Sequence, residues 1–262
     1  MRILRPLVAF VFSALIVFGI WKWYAQNQEV QFTDPLRPLW GRITYTLQDV
    51  ATSLRGAPKT PRIDEVRIPQ LDEEFSQGEL TKTELATVIQ DLPTKGATDA
   101  RVLIIEFCHY DAKYCKQAYD EGAVLTYQAA YPAQVQYAFA PMPPRSDDAT
   151  ALPHVATMCA RNLGSTKQYF AFHTMQYEQY TTDASELVAD ANVLGIHGMQ
   201  ECMQGLSSRL ALQKAVKESK TRFGLKSLPT YIFLNKQTGK YIKLPGLYEE
   251  KEALDALAYI LQ

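Results

Sequence analysis

Residues Val102–Lys116 read VLIIEFCHYDAKYCK, and the fold is decided there. The first six, Val102–Phe107, are apolar and partly β-branched, with Glu106 as their only charge. A short apolar run of this kind predicts a buried strand. Polar residues and a turn follow, and Tyr114, Cys115 and Lys116 open a helical pattern. A strand therefore hands its end to a helix N-terminus that carries a cysteine. The helix dipole and the unpaired amide N–H groups there favour a thiolate over a thiol.

This stretch resembles the DsbA-like branch of the thioredoxin superfamily, the bacterial thiol–disulfide oxidoreductases. The pattern in that family is a strand, Glu-Phe, four residues, then Cys-x-x-Cys-Lys. Glu106-Phe107 and Tyr114-Cys115-Lys116 fall on it, so Cys115 matches the second motif cysteine. The first, the exposed nucleophile, falls on Ala112, and a cysteine stands instead at Cys108. A methyl group can neither attack a disulfide nor form a mixed one, so the departure bears directly on exchange chemistry. A second match lies downstream. Ser227-Leu228-Pro229-Thr230 precedes the apolar run Tyr231–Leu234. The resemblance implies a cis Leu228–Pro229 bond facing the active-site cysteines, with Leu228 and Pro229 holding an extended substrate strand. It covers roughly residues 92–262 and implies an α/β, thioredoxin-like fold: a mixed sheet flanked by helices, with an inserted helical domain.

The chain has 262 residues and a formal net charge of −1, which gives no reason to expect nucleic-acid binding. Four cysteines are too few for a disulfide scaffold. No Gly-rich phosphate loop, HExxH or paired CxxC zinc pattern occurs, and no cofactor is expected.

At the N-terminus, Arg2 and Arg5 precede the apolar run Pro6–Trp21, and Lys22, Trp23 and Tyr24 follow. The run spans about 24 Å as a helix, a little short of a ~30 Å hydrocarbon core. Trp21, Trp23 and Tyr24 suit the membrane interface and Lys22 can snorkel. A cleaved signal peptide is the competing reading. Against it, Trp23 stands where a small residue would precede the cleavage site. We expect residues 1–25 to be an uncleaved signal anchor, a single transmembrane helix. The arginines suggest a cytoplasmic N-terminus, with the main domain on the periplasmic side. Exported cysteines meet oxidising conditions, so disulfides become plausible.

Residues 26–91 read as an amphipathic helix and a linker. Trp40, Ile43, Leu47, Val50 and Leu54 recur at helical spacing, a Pro-bearing charged stretch follows, and Leu71–Gln90 reads as helical. The folded domain is expected from about Leu92. Its order is strand Val102–Phe107, helix Lys113–Ala130, strand Val135–Ala140, and a helical block of about 149–223. Strands Thr230–Leu234 and Lys240–Leu244 and a last helix Tyr248–Leu261 complete it.

Cys115 is the leading candidate for exchange chemistry, with a buried packing thiol as the bland alternative. Cys108 can bond it only if their Cα atoms lie about 4.4–6.8 Å apart. Glu106, inside an apolar strand, should have a raised pKa and could accept a proton from the buried thiol. His109 and Asp111 stand between the cysteines. A metal site there is the weaker reading, a favourable charge beside the thiolate or plain solvation the stronger, and His109 is also a candidate for substrate contact. Cys159 and Cys202 are expected to form a structural disulfide within the insert, a closure of roughly 4 kcal/mol on the chain-entropy account. His154, His173 and His197 are assigned no catalytic role. Tyr169, Phe170, Phe172, Tyr177 and Tyr180 look like helix packing with a wetter side.

Two functions fit these residues. One is a membrane-anchored, exported thiol–disulfide oxidoreductase with an altered active site, acting on exported proteins or peptides together with a redox partner. The other is a non-catalytic chaperone-like or scaffold module that keeps a peptide-binding surface.

Overall fold

A computed structural model describes residues 76–145 and 148–261. The expected anchor at 1–25, the amphipathic helix and the linker lie outside the described residues. Among the described residues no helix is long and apolar enough to cross a membrane.

The apolar run at 102–107 forms the centre of the sheet. Strand β3, Val102–Cys108, is buried along its whole length. β4, Val135–Pro141, runs parallel to it on one side, and β5, Thr230–Asn235, antiparallel on the other. β6, Lys240–Pro245, pairs with β5. Two short strands close the edges: β1, Ser76–Glu79, on β6, and β2, Thr94–Lys95, on β4. The sheet order is β1-β6-β5-β3-β4-β2. Burial on both faces is what the unbroken apolar runs demand.

The parallel β3–β4 step needs a crossover. The sequence predicts one helix over Lys113–Ala130, and the structure breaks it into α2, Lys113–Glu121, and α3, Ala123–Ala130. Gly122 between them adopts φ +68°, a left-handed conformation that ends α2. A second difference lies upstream. The described part of the predicted helix Leu71–Gln90 is β1 followed by α1, Lys82–Asp91, which starts at a capping box between Thr81 and Glu84. β1 and α1 belong to the sheet and its core, so the folded unit begins before Leu92. The last helix, α9, is Glu250–Leu261, starting two residues later than expected.

The helical insert runs from a 3-10 turn at Ala149–Ala151 through five helices. These are α4, Leu152–Leu163; α5, Thr166–Glu178; α6, Ala184–Val193; α7, Met199–Gln204; and α8, Leu206–Phe223. Alternation along β3 splits the core in two. Leu103, Ile105 and Phe107 face the cluster that holds Leu187, Met199 and Leu212 of the insert. Val102, Ile104 and Cys108 face the cluster holding Ala118 of α2, Tyr177 of α5 and Leu257 of α9. Cys159 on α4 and Cys202 on α7 form the expected disulfide, with Cα atoms 5.8 Å apart. Cys159 lies in the first cluster and Cys108 and Cys115 in the second, so the two disulfides occupy opposite faces of the sheet.

Candidate active site

The end of β3 and the start of α2 meet in a second disulfide. Cys108 and Cys115 are bonded, with Cα atoms 5.7 Å apart, inside the range that a disulfide spans without backbone movement. Both residues are 0% exposed. Ala112 is the N-cap of α2; its methyl group supplies no capping bond. The loop between the cysteines is tied to the helix through its backbone. Ala112 N–H donates to the His109 carbonyl at 3.0 Å, and His109 N–H donates to Cys115 Sγ at 3.4 Å.

Glu106 sits two residues before Cys108 on the same face of β3. Its side chain is buried and accepts from two phenols: Tyr137 on β4 at 2.8 Å and Tyr177 on α5 at 3.0 Å. Burial pushes its pKa up to about 7, because desolvation outweighs the two hydrogen bonds that favour the anion. The expectation of a buried, proton-holding carboxyl therefore has a geometry.

From Tyr137 a polar chain continues through the core. Its hydroxyl lies 3.3 Å from His173 Nε2, and His173 Nδ1 lies 3.2 Å from the Tyr110 hydroxyl. The Tyr110 hydroxyl is 2.9 Å from Thr157 Oγ1, which can donate to the Pro153 carbonyl at 2.9 Å. His154 stacks on Tyr110 with ring centroids 4.8 Å apart, and its Nε2 lies 2.6 Å from His109 Nδ1. Among the described residues His154 Nδ1 is buried without a partner. The proton of neutral His154 therefore sits on Nε2 and is donated to His109; the other tautomer would bury an unpaired N–H. Burial holds His154 well below the ordinary histidine range, and neighbouring His109 and His173 act in the same direction. Burial likewise lowers His109 and brings His173 down to about 3.

These positions correct part of the sequence reading. His109 is not a solvated loop residue; only 8% of it is exposed, whereas Asp111 is exposed as expected. His154 and His173, given no role from sequence, lie in the polar network around the disulfide loop. Their partners are 45 and 63 residues away, so no local pattern marks them. His197 is exposed, outside the network. Tyr169, Phe170, Phe172 and Tyr177 are buried rather than wet on one side, and only Tyr180 is half-buried. Among the described residues no three or more His, Cys, Asp or Glu side chains converge as metal ligands would.

The Leu228–Pro229 bond is cis. Thr230 of β5 pairs with Phe107 of β3, so Pro229 lies one residue beyond that ladder, toward the end of β3 that carries Cys108. The Pro229 carbonyl accepts from Gly246 N–H at 2.7 Å. Half-buried Leu228 packs against both core clusters. The cis bond that the resemblance implies is present.

The thioredoxin family model matches residues 90–249, more than half of the chain. The chain belongs to the thioredoxin family. Solved structures with a similar fold include DsbA and ScsC proteins. Pseudomonas aeruginosa DsbA2 has a TM-score of 0.52 at 19% identity, over 64% of this chain and 93% of that one. Wolbachia pipientis α-DsbA1 gives 0.51 at 14% identity, over 65% and 93%. Proteus mirabilis ScsC, in a transitional conformation, gives 0.53 at 16% identity, over 95% and 94%. No curated protein matches this chain.

Proposed function

We propose that this protein is a thiol–disulfide oxidoreductase of the DsbA-like kind, that Ala112 stands in place of the first motif cysteine, and that Cys108 and Cys115 are the exchanging pair. The observation that carries the reading is the Cys108–Cys115 disulfide itself, set at the end of β3 beside the cis proline loop and on the face of Glu106.

The chemistry assigns each sulfur a part. A substrate thiolate attacks one sulfur, the disulfide breaks, and the other sulfur leaves with the electron pair. Cys115 is the better leaving group, because the His109 N–H and the N-terminus of α2 stabilise its thiolate. Attack therefore falls on Cys108. The second substrate thiol then displaces Cys108 from the mixed disulfide. The substrate dithiol is oxidised, the pair is reduced, and the two substrate protons pass to the enzyme's groups. Glu106, balanced near neutrality, can hold one of them. With both sulfurs buried, attack requires the His109–Asp111 loop to move.

Exported proteins are the substrates this reading implies, and a redox partner would reset the pair. The basic residues Arg2 and Arg5 ahead of an apolar run support a membrane-anchored protein with its main domain outside the cytoplasm. Extraction of the full chain from membranes tests this; release as a soluble, shortened species overturns it.

The burial of both sulfurs favours a second reading, a peptide-binding module that no longer exchanges. Thiol counting with and without a dithiol reductant, followed by peptide mapping, separates the two. Reversible opening of Cys108–Cys115, coupled to oxidation of a reduced model protein, supports the oxidoreductase. A pair that never opens in the folded protein supports the binding module.

A further inference from the structure

The five side chains Glu106, Tyr137, His173, Tyr110 and Thr157 form one unbranched hydrogen-bonded chain ending on the Pro153 carbonyl. All five are buried. A dry chain of this length is costly unless each donor meets an acceptor, so donor counting decides its possible states.

There are two. With Glu106 ionised, Tyr137 and Tyr177 both donate to the carboxylate. The Tyr137 oxygen then accepts from His173 Nε2–H, and His173 Nδ1 accepts from the Tyr110 O–H. With Glu106 protonated, its O–H donates to Tyr137 and Tyr137 donates to His173 Nε2. His173 Nδ1–H donates to Tyr110, Tyr110 to Thr157, and Thr157 to the Pro153 carbonyl. Tyr177 donates to Glu106 in both. The ring nitrogens of His173 exchange roles between the two states, and neither is left unpaired.

We propose that His173 is a positioning residue for Glu106: its ring tautomer follows the charge on the carboxyl through Tyr137, so the core holds Glu106 with or without its proton at almost no loss of hydrogen bonding. Its part in exchange rests on the oxidoreductase reading above; the tautomer switch does not.

Among the described residues no charged group competes for the carboxyl. Tyr137 from β4 and Tyr177 from α5 bond to it. Tyr110, Tyr119, Tyr169, Tyr231 and Tyr248 feel its charge from the loop, α2, α5, β5 and the turn before α9. Burial raises all seven phenols above their ordinary range, so they stay neutral near pH 7. His173 also feels Lys95, which disfavours the imidazolium, so only its tautomer can change in this pH range.

The test is NMR on the full chain with 15N-labelled histidine and 13C-labelled glutamate. Long-range proton–nitrogen correlations report which ring nitrogen of His173 carries the hydrogen. The expected result is mostly Nδ1–H at pH 5 and mostly Nε2–H at pH 9, with the midpoint of the Glu106 carboxyl. Tyr137→Phe should leave Glu106 titrating while His173 stops following it. One fixed tautomer in the native protein across the Glu106 titration overturns the proposal, and so does a doubly protonated ring. Oxidation of a reduced model protein is measured on the same sample. A tautomer switch without exchange defeats the oxidoreductase reading alone, and exchange without a switch defeats this inference alone.

Discussion

The backbone N–H of His109 points at Cys115 Sγ from 3.4 Å. The loop that separates the two cysteines thereby supplies a donor to one of them. Together with the first turn of α2, this donor favours negative charge on Cys115. Cys108, at the end of a strand, has no such helix. In the reduced protein Cys115 should therefore be the more acidic of the two thiols. Thiolate absorbance measured on Cys108→Ala and Cys115→Ala separately checks this. A Cys108 more acidic than Cys115 would reverse the proposed order of attack.

Ala112 is a half-buried N-cap whose side chain caps nothing. Ala112→Cys places a thiol at the N-terminus of α2, where a thiolate is favoured. It also gives Cys115 a partner three positions earlier. Oxidation of a reduced model protein should rise by an order of magnitude or more, roughly what a nucleophile freed from burial would give. No gain over the native protein would show that Ala112 is not the missing first position.

Glu106 sets a pH dependence with a definite sign. Its folded pKa, about 7, lies above the ordinary 4.5. Between those values the folded protein keeps a proton that the unfolded chain has lost. This contribution is complete below pH 4.5 and is lost as pH rises through 7. Over that window stability should fall by about 3 kcal/mol from this group. Glu106→Gln should flatten that slope and be the more stable protein at pH 8. Denaturant midpoints of both proteins from pH 5 to 8 are the measurement. Parallel curves would mean that Glu106 titrates normally.

Replacing Cys159 and Cys202 together by serine releases a closure spanning 43 residues. The chain-entropy estimate is about 4 kcal/mol, or roughly 10 °C in melting temperature for a domain of this size. Exchange activity should be unchanged, since this pair lies on the opposite face of the sheet from Cys108 and Cys115. Loss of exchange in a folded double variant would contradict the division of labour between the two disulfides.

The central strands were legible because their chemistry is local. Burial on both faces writes itself as the apolar runs of β3, β4 and β5. Glu106 stood out as the single charge in such a run. β1 was not legible: Ser76–Glu79 is SQGE, with no apolar alternation, and its strand conformation comes from pairing with β6. The break at Gly122 was hidden because a glycine within a helical pattern also reads as tolerated. Of the candidate site, Glu106, Cys115 and Pro229 fall on the motifs that carry the family resemblance. His154 and His173 could not be found from sequence, because helices of the insert carry them to Tyr110, His109 and Tyr137 from far along the chain.

Polar, four-residue β1 has a practical consequence. It occupies the outer edge of β6, whose unbuttressed backbone would otherwise be open to any passing strand. A fragment trimmed to the family match at 90–249 loses β1 and α1 together and also cuts away α9. It would expose that edge along with the apolar side chains of the core cluster that Leu257 and Ile260 of α9 pack into. Such a fragment should self-associate through β6, and a recombinant domain should begin no later than Ser76 and retain Leu261.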